Sequence, residues 1–90
     1  MQNLDITVQV SEGLHARPAQ LFCALAQKFQ SEIKVRNVTT DSGFVNAKSI
    51  LLVLTLGVVQ GHRIGITASG ADEGEAVQGL EKLIAGNFAG

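Results

Sequence analysis

The sequence predicts an α+β fold of two layers, in which helices cover one face of an antiparallel sheet. The first observation is that stretches of alternating apolar and polar residues are interleaved with stretches whose apolar residues recur every three or four positions. The second is the resulting element order, β-α-β-β-α-β-α, which places a hairpin between two helices. The third is the alternation itself, which gives each strand one face for the core and one for water.

The first strand and the first helix are separated by a change of period. Apolar and polar residues alternate over residues 4–10, which predicts a strand that ends at residues 11–13. Over residues 16–29 the apolar side chains fall on one stripe of a helix. Pro18 suits the opening turn of that helix, where its missing N–H costs nothing. The helix is therefore expected to begin directly after His15.

A hairpin and a second helix follow. Residues 32–38 alternate again, residues 39–43 have the composition of a turn, and residues 44–47 predict a short return strand. Ser49 is the expected N-cap of the second helix, and Gly57 its expected end.

The last strand and the last helix complete the layer of helices. Residues 63–68 predict the strand, and the helix is expected to begin at residues 72–73 and to end at Gly86. His62 is predicted at the surface and Cys23 in the core. By itself, this order of elements also admits a ferredoxin-like arrangement.

Composition excludes several classes of function. Ninety residues and 9.5 kDa predict one domain, residues 1–90. Seven Lys and Arg against eight Asp and Glu leave no basic surface for nucleic acid. One cysteine, and the absence of metal-ligand spacing or a glycine-rich nucleotide loop, predict no metal and no cofactor.

The sequence also gives no sign of a membrane or secretory segment. Asp5 and the strand-like alternation around it argue against a secretory signal. The longest apolar stretch, residues 50–59, is about half of the roughly 20 residues that a membrane span needs. We therefore expect a cytoplasmic protein that does not insert into a membrane.

His15 is the first candidate for chemistry. The opening turn of a helix offers free N–H groups to an oxyanion, and the positive end of the helix dipole favours the neutral imidazole. Arg17 has forked donors that suit a phosphoryl group, and Pro18 fixes the turn that directs them. Such a histidine can accept a phosphoryl group as a labile phosphoramidate. The spacing alone leaves open an exposed loop histidine at a helix start, which is common.

The second helix is the candidate for partner binding. Its apolar residues cover nearly the whole circumference, and a two-layer domain has no further layer to bury the outer side. Four of them are expected to form an exposed apolar patch: Ile50, Leu51, Leu52 and Leu54. Alternatively, loops and the C-terminal tail cover them. Leu21 and Leu25 of the first helix either extend the patch or pack at the edge of the core.

Three motifs resemble the HPr family, the histidine phosphocarriers of the bacterial phosphoenolpyruvate:sugar phosphotransferase system. The run GLHARPA at residues 13–19 is similar to the family's active-site signature. The run VNAKSI at residues 45–50, followed by TLG at 55–57, resembles its serine-site segment, and ASGADE at 68–73 resembles the stretch before its last helix. The resemblance covers essentially the whole chain and outweighs the loop-histidine alternative.

The resemblance implies an open-faced β-sandwich, a four-stranded antiparallel sheet with three helices on one face. It implies that His15 accepts phosphate on Nδ1 from phosphorylated enzyme I and passes it to enzyme IIA domains in sugar uptake. Arg17 would stabilise the phosphoryl group, with Ala16 and Pro18 positioning it. Such a protein is a relay that uses no cofactor, rather than an enzyme with turnover of its own.

The resemblance also implies docking and regulation. Both partners would dock on the second helix and its surroundings, at Leu21, Ile50, Leu51, Leu52 and Leu54. Ser49 aligns with a serine that a dedicated kinase phosphorylates, which weakens transfer and can recruit a transcriptional regulator. The alternative function is a regulatory HPr-like module, in a nitrogen-type or dihydroxyacetone-kinase branch, or in kinase-controlled catabolite repression through Ser49.

The sequence departs from the family pattern at three places. Leu52 and Leu54 stand where relatives often have a small or polar residue, so this docking face is more apolar. Glu12 adds a carboxylate near the phosphorylation site, which is unfavourable unless it points away. The hairpin loop at residues 39–43 is slightly longer than usual, with little expected consequence.

Overall fold

A four-stranded antiparallel sheet forms one layer of the computed structural model, which describes residues 1–89. The strands lie in the order β1-β4-β2-β3, and three helices complete the α+β fold that the sequence predicts. In chain order the elements are β1 (Gln2–Thr7), α1 (Ala16–Gln27), β2 (Glu32–Asn37), β3 (Val45–Asn46), α2 (Ile50–Leu54), β4 (Arg63–Ser69) and α3 (Glu73–Ala85).

Strand register separates a core face of the sheet from an open face. Ile66 of β4 is paired with Leu4 of β1 and with Val35 of β2, and Ile66 and Val35 are buried. The next row, Asp5 and Arg36 on either side of β4, lies on the opposite face because side chains alternate along a strand. The alternation read from the sequence therefore fixes which face receives the helices.

The helices bury the stripes that their periodicity predicts. In α1 the buried side chains are Pro18, Ala19, Phe22, Cys23 and Ala26. In α3 they are Ala76, Val77, Leu80 and Ile84. The predicted burial of Cys23 is confirmed, and this burial raises the pKa of its thiol. Phe29 lies beyond the end of α1 and is half-buried.

Several element boundaries differ from the prediction by a few residues, and the ends of β1 and α2 differ for identifiable reasons. β1 ends at Thr7, because Val8 pairs with the turn before β4: Val8 N–H donates to the His62 carbonyl at 2.9 Å, and Gly61 N–H to the Val8 carbonyl at 2.7 Å. His62, predicted at the surface, is half-buried in this turn. α2 ends at Leu54, because the following N–H groups bind carbonyls three residues back, which tightens the last turn.

A carboxylate fastens the start of α3 to the segment between α1 and β2. Asp72 accepts hydrogen bonds from the backbone N–H of Gln30 at 2.8 Å and of Ser31 at 2.9 Å. It also accepts one from the Ser31 hydroxyl. The hydroxyl, followed by the Gln30 N–H, holds the pKa of Asp72 below its ordinary value of 3.8. The ionised carboxylate is therefore the form that the fold stabilises.

Asp72→Asn is expected to destabilise the fold at neutral pH and to weaken its acid dependence. A folded-state pKa below the unfolded-state value adds stability that is complete above about pH 4 and is lost as the pH falls through the folded-state pKa. Urea unfolding of both proteins from about pH 7 down to about pH 2 measures the difference, which should shrink with acid. Glu81→Gln is the control, since Glu81 is exposed on α3 and has no ion pair within residues 1–89. A constant difference between D72N and wild type at all pH values would contradict the prediction.

Candidate functional site

His15 stands at the entrance to α1. It is the N-cap residue, with extended backbone angles of φ −131° and ψ 166°, and its side chain makes no capping hydrogen bond. The residue is half-exposed. The imidazole therefore lies at the positive end of α1 without being used to close that end of the helix.

The first turn of α1 offers two backbone donors. The N–H groups of Ala16 and Arg17 have no carbonyl of their own helix to bind, because they precede the first intrahelical hydrogen bond. Pro18 has no N–H. The first hydrogen bond of the helix is the one that Ala19 N–H donates to the His15 carbonyl at 3.5 Å. Such a pair of amides at a helix N-terminus can bind an oxyanion beside the imidazole.

Ala16 has an unusual backbone conformation that the sequence did not reveal. Its φ is +51°, in the left-handed region that residues with a Cβ rarely adopt. A conformation of this kind costs on the order of 1–3 kcal/mol and persists only where the surroundings impose it. Alanine carries no sequence signal for it, so only the structure could find it.

The chain before His15 is held by a turn from another part of the sequence. Leu14 is fully buried, and its N–H donates to the Val58 carbonyl at 3.0 Å. Gly13 has φ +66°, and a Cβ there would lie 2.2 Å from the same oxygen. The turn of residues 58–62 thus fixes the two residues that precede His15, a role that the sequence pattern does not predict.

The charged neighbours of His15 make few contacts. The Arg17 side chain is exposed and has no ion pair within residues 1–89. Glu12 is also exposed, and its carboxylate accepts a hydrogen bond from the Ser11 hydroxyl at 2.9 Å. Pro18, in contrast, is buried in the packing of α1. The roles assigned to Ala16, Arg17 and Pro18 toward a phosphoryl group stay predictions.

Ser49 occupies the position that the sequence predicts for it. It is the N-cap of α2, and its hydroxyl accepts a hydrogen bond from Leu52 N–H at 3.4 Å. The residue is half-buried. The capping prediction is therefore confirmed, whereas regulatory phosphorylation of this hydroxyl stays a prediction.

An apolar patch lies on the outer side of α2. It consists of four exposed residues, called here the α2 patch: Ile50, Leu51, Leu52 and Leu54. Leu51 is 74% exposed, so the alternative that loops or the tail cover this helix is wrong. Val53 and Leu56 face the core instead. Leu21 and Leu25 of α1 are half-buried and pack against that core.

The described part of the chain holds neither a metal-binding cluster nor a membrane-spanning helix. Among residues 1–89, no group of three or more His, Cys, Asp and Glu side chains is arranged to hold a metal ion. Within the same residues, every helix is too short or too polar to cross a bilayer.

Comparison with known proteins identifies the family of the chain. A family model described as "PTS HPr component phosphorylation site" matches residues 3–86. The chain is 44% identical over 80 residues to the phosphocarrier protein HPr of Buchnera aphidicola, with 89% of this chain and 91% of that protein covered.

A longer relative and a solved structure extend this result. The chain is 42% identical over 79 residues to a multiphosphoryl transfer protein of Haemophilus influenzae, covering 88% of this chain but only 16% of that protein. The crystal structure of HPr from Thermoanaerobacter tengcongensis superposes with a TM-score of 0.93 at 44% identity, covering 98% of this chain and 96% of the other. The chain therefore belongs to the HPr family, the phosphocarrier proteins of the phosphotransferase system.

Proposed function

We propose that this protein carries a phosphoryl group on His15 Nδ1, between phosphorylated enzyme I and enzyme IIA domains, in cytoplasmic sugar uptake. The observation that carries the proposal is the position of His15 as N-cap of α1, with no capping bond from its side chain. The free N–H groups of Ala16 and Arg17 lie at the same helix end.

The donor supplies the phosphoryl group, and this chain supplies the nucleophile and the groups that bind the phosphoryl oxygens. The lone pair of His15 Nδ1 attacks phosphorus, an N–P bond forms, and the bond from phosphorus to the donor breaks with its electron pair leaving on the donor. The proton of the neutral ring stays on Nε2. The phosphoryl oxygens accept hydrogen bonds from the two amides, and the Arg17 guanidinium offsets their charge. Passing the group on is the same step in reverse, with a histidine of the acceptor as nucleophile.

The α2 patch and Leu21 are the proposed docking surface for both partners. An exposed apolar patch of this kind marks a protein interaction site. This chain spans only 16% of the Haemophilus relative, whose name describes several phosphoryl transfers. The remainder of that long protein supports the proposal that a domain of this kind works with other phosphoryl-transfer domains. The proposed regulatory role of Ser49 acts on the same surface, because its hydroxyl caps the helix that carries the patch.

Phosphorylation by enzyme I and phosphoenolpyruvate tests the proposal. Wild type should gain one acid-labile phosphate, and His15→Ala should lower the rate by at least about a thousandfold, the order found when a nucleophile is removed. Gln78→Ala is the matched control, since Gln78 is exposed on α3. Equal labelling of H15A and wild type would refute the assignment of His15.

The same experiment separates the carrier from the regulatory alternative. Phosphohistidine is acid-labile, whereas phosphoserine survives acid, so the stability of the label identifies the residue. A protein that enzyme I fails to label, but that a serine kinase and ATP label stably at Ser49, would be the regulatory module instead.

A further inference from the structure

The His62 ring lies against a buried amide. The Asn37 side chain is fully buried, and its Nδ2 lies 3.1 Å from His62 Nδ1. The same Nδ2 donates to the Leu56 carbonyl at 3.1 Å, and Asn37 Oδ1 accepts from Thr40 N–H at 3.3 Å. Exchanging the oxygen and nitrogen of the Asn37 amide would place its oxygen against the Leu56 carbonyl oxygen and its NH₂ group against the Thr40 N–H. The orientation of Asn37 is therefore fixed, with nitrogen toward His62.

This contact determines the state of the His62 ring. An amide nitrogen only donates, so His62 Nδ1 must accept. A second donor points to the same atom, the backbone N–H of Val59 at 3.3 Å. The ring that satisfies both is the neutral tautomer with its hydrogen on Nε2.

One peptide group connects His62 to the site. The Val59 N–H that donates to His62 Nδ1 belongs to the same planar unit as the Val58 carbonyl. That carbonyl accepts the N–H of Leu14 at 3.0 Å. The unit is thus held at its nitrogen end by His62 and at its oxygen end by the residue before His15.

We propose that His62 is a positioning residue for phosphoryl transfer through His15, acting through the Val58–Val59 peptide. The inference rests on the proposed function of His15. Gly13 packs closely against this peptide, because a Cβ built there would lie 2.2 Å from the Val58 oxygen and 2.7 Å from Val59 Cα. Rotation of this peptide therefore displaces the chain directly before His15.

The turn has other hydrogen bonds, but they hold different peptides. Those between Val8 and residues 61–62 tie the end of the turn to β1. Gln60 Nε2 donates to the Gln9 carbonyl at 2.9 Å. Among residues 1–89, His62 is the only acceptor for the N–H of the peptide that reaches Leu14, so the acceptor at Nδ1 is the specific requirement.

Two substitutions of His62 separate the effect of its hydrogen-bond acceptor from the effect of its side-chain volume. His62→Asn keeps an acceptor, since Asn Oδ1 and His Nδ1 are both bonded to Cγ, whereas His62→Leu keeps volume without one. Gln60→Ala removes a neighbouring hydrogen bond and is the matched control. H62L should lower the rate of phosphorylation by enzyme I about tenfold, because small displacements of a reacting group are costly. H62N should stay within about twofold of wild type, and so should Q60A.

Amide hydrogen exchange tests the link without any transfer. Leu14 N–H should exchange about tenfold faster in H62L than in H62N or wild type, and the ring nitrogens of wild type should report the Nε2–H tautomer. Equal rates for H62L and H62N, or a wild-type rate for H62L, would overturn the proposal, as would a His62 ring protonated at Nδ1. If enzyme I does not label wild type, the proposed function fails, and Leu14 exchange still decides whether His62 holds the loop.

Discussion

Gly13→Ala is expected to lower the free energy of unfolding by about 3 kcal/mol, adding the cost of a left-handed backbone to that of an overlap. The new Cβ would lie 2.2 Å from the Val58 oxygen and 2.7 Å from Val59 Cα, both of them backbone atoms. Neither belongs to a flexible side chain, so the loop or the turn must shift.

Gly57→Ala supplies the comparison that isolates the overlap. Gly57 has a similar φ of +60°, but among residues 1–89, apart from its two chain neighbours, no atom lies within 4 Å of its added Cβ. G57A should therefore cost only about 1–2 kcal/mol, the price of the conformation. Urea unfolding followed by circular dichroism measures both variants. G13A and G57A of equal stability would show that contact with the Val58–Val59 peptide does not constrain the loop.

Leu51→Asn is expected to raise the KM for enzyme I about fivefold to thirtyfold, with a small effect on kcat. Leu51 is 74% exposed, the most exposed member of the α2 patch. Truncating a central apolar residue of an interface commonly costs about 1–2 kcal/mol of binding, which corresponds to this change. Stability should hardly change, because little of the side chain is buried in the free protein.

Phe44→Asn is the matched control for the docking surface. Phe44 is 48% exposed and lies against Arg36, whose guanidinium carbon is 5.7 Å from the ring centre. It is an exposed apolar side chain outside the α2 patch, so F44N should leave KM nearly unchanged. Equal increases in KM for L51N and F44N, or a loss confined to kcat, would argue against docking on α2.

The sequence predicts the fold correctly because the fold depends on local periodicity. Alternation and helical stripes record which side of each element is buried, and they gave the element order and the faces of α1 and α3. The position of His15 before a helix follows from Pro18, and the cap at Ser49 from its side-chain oxygen. The exposed α2 patch follows because the helix is apolar on nearly every side, whereas a two-layer fold buries only its inner side.

The sequence did not predict the contacts that join distant segments. Nothing in the pattern pairs Leu14 with Val58, or Asn37 with His62, because hydrogen bonds between loops leave no period in the sequence. The φ of Ala16 also has no sequence signal, because alanine does not favour the left-handed region. Element ends were misjudged where such contacts stop a strand or tighten a helix.

The shortness of α2 has a consequence for how partner choice can change. A helix of five residues has no stability of its own in water, so its shape comes from the Ser49 cap and from the burial of Val53 and Leu56. Leu51, at 74% exposed, contributes little to that scaffold. Its identity is consequently free to diverge under selection for a new recipient protein, while the chain continues to fold as before.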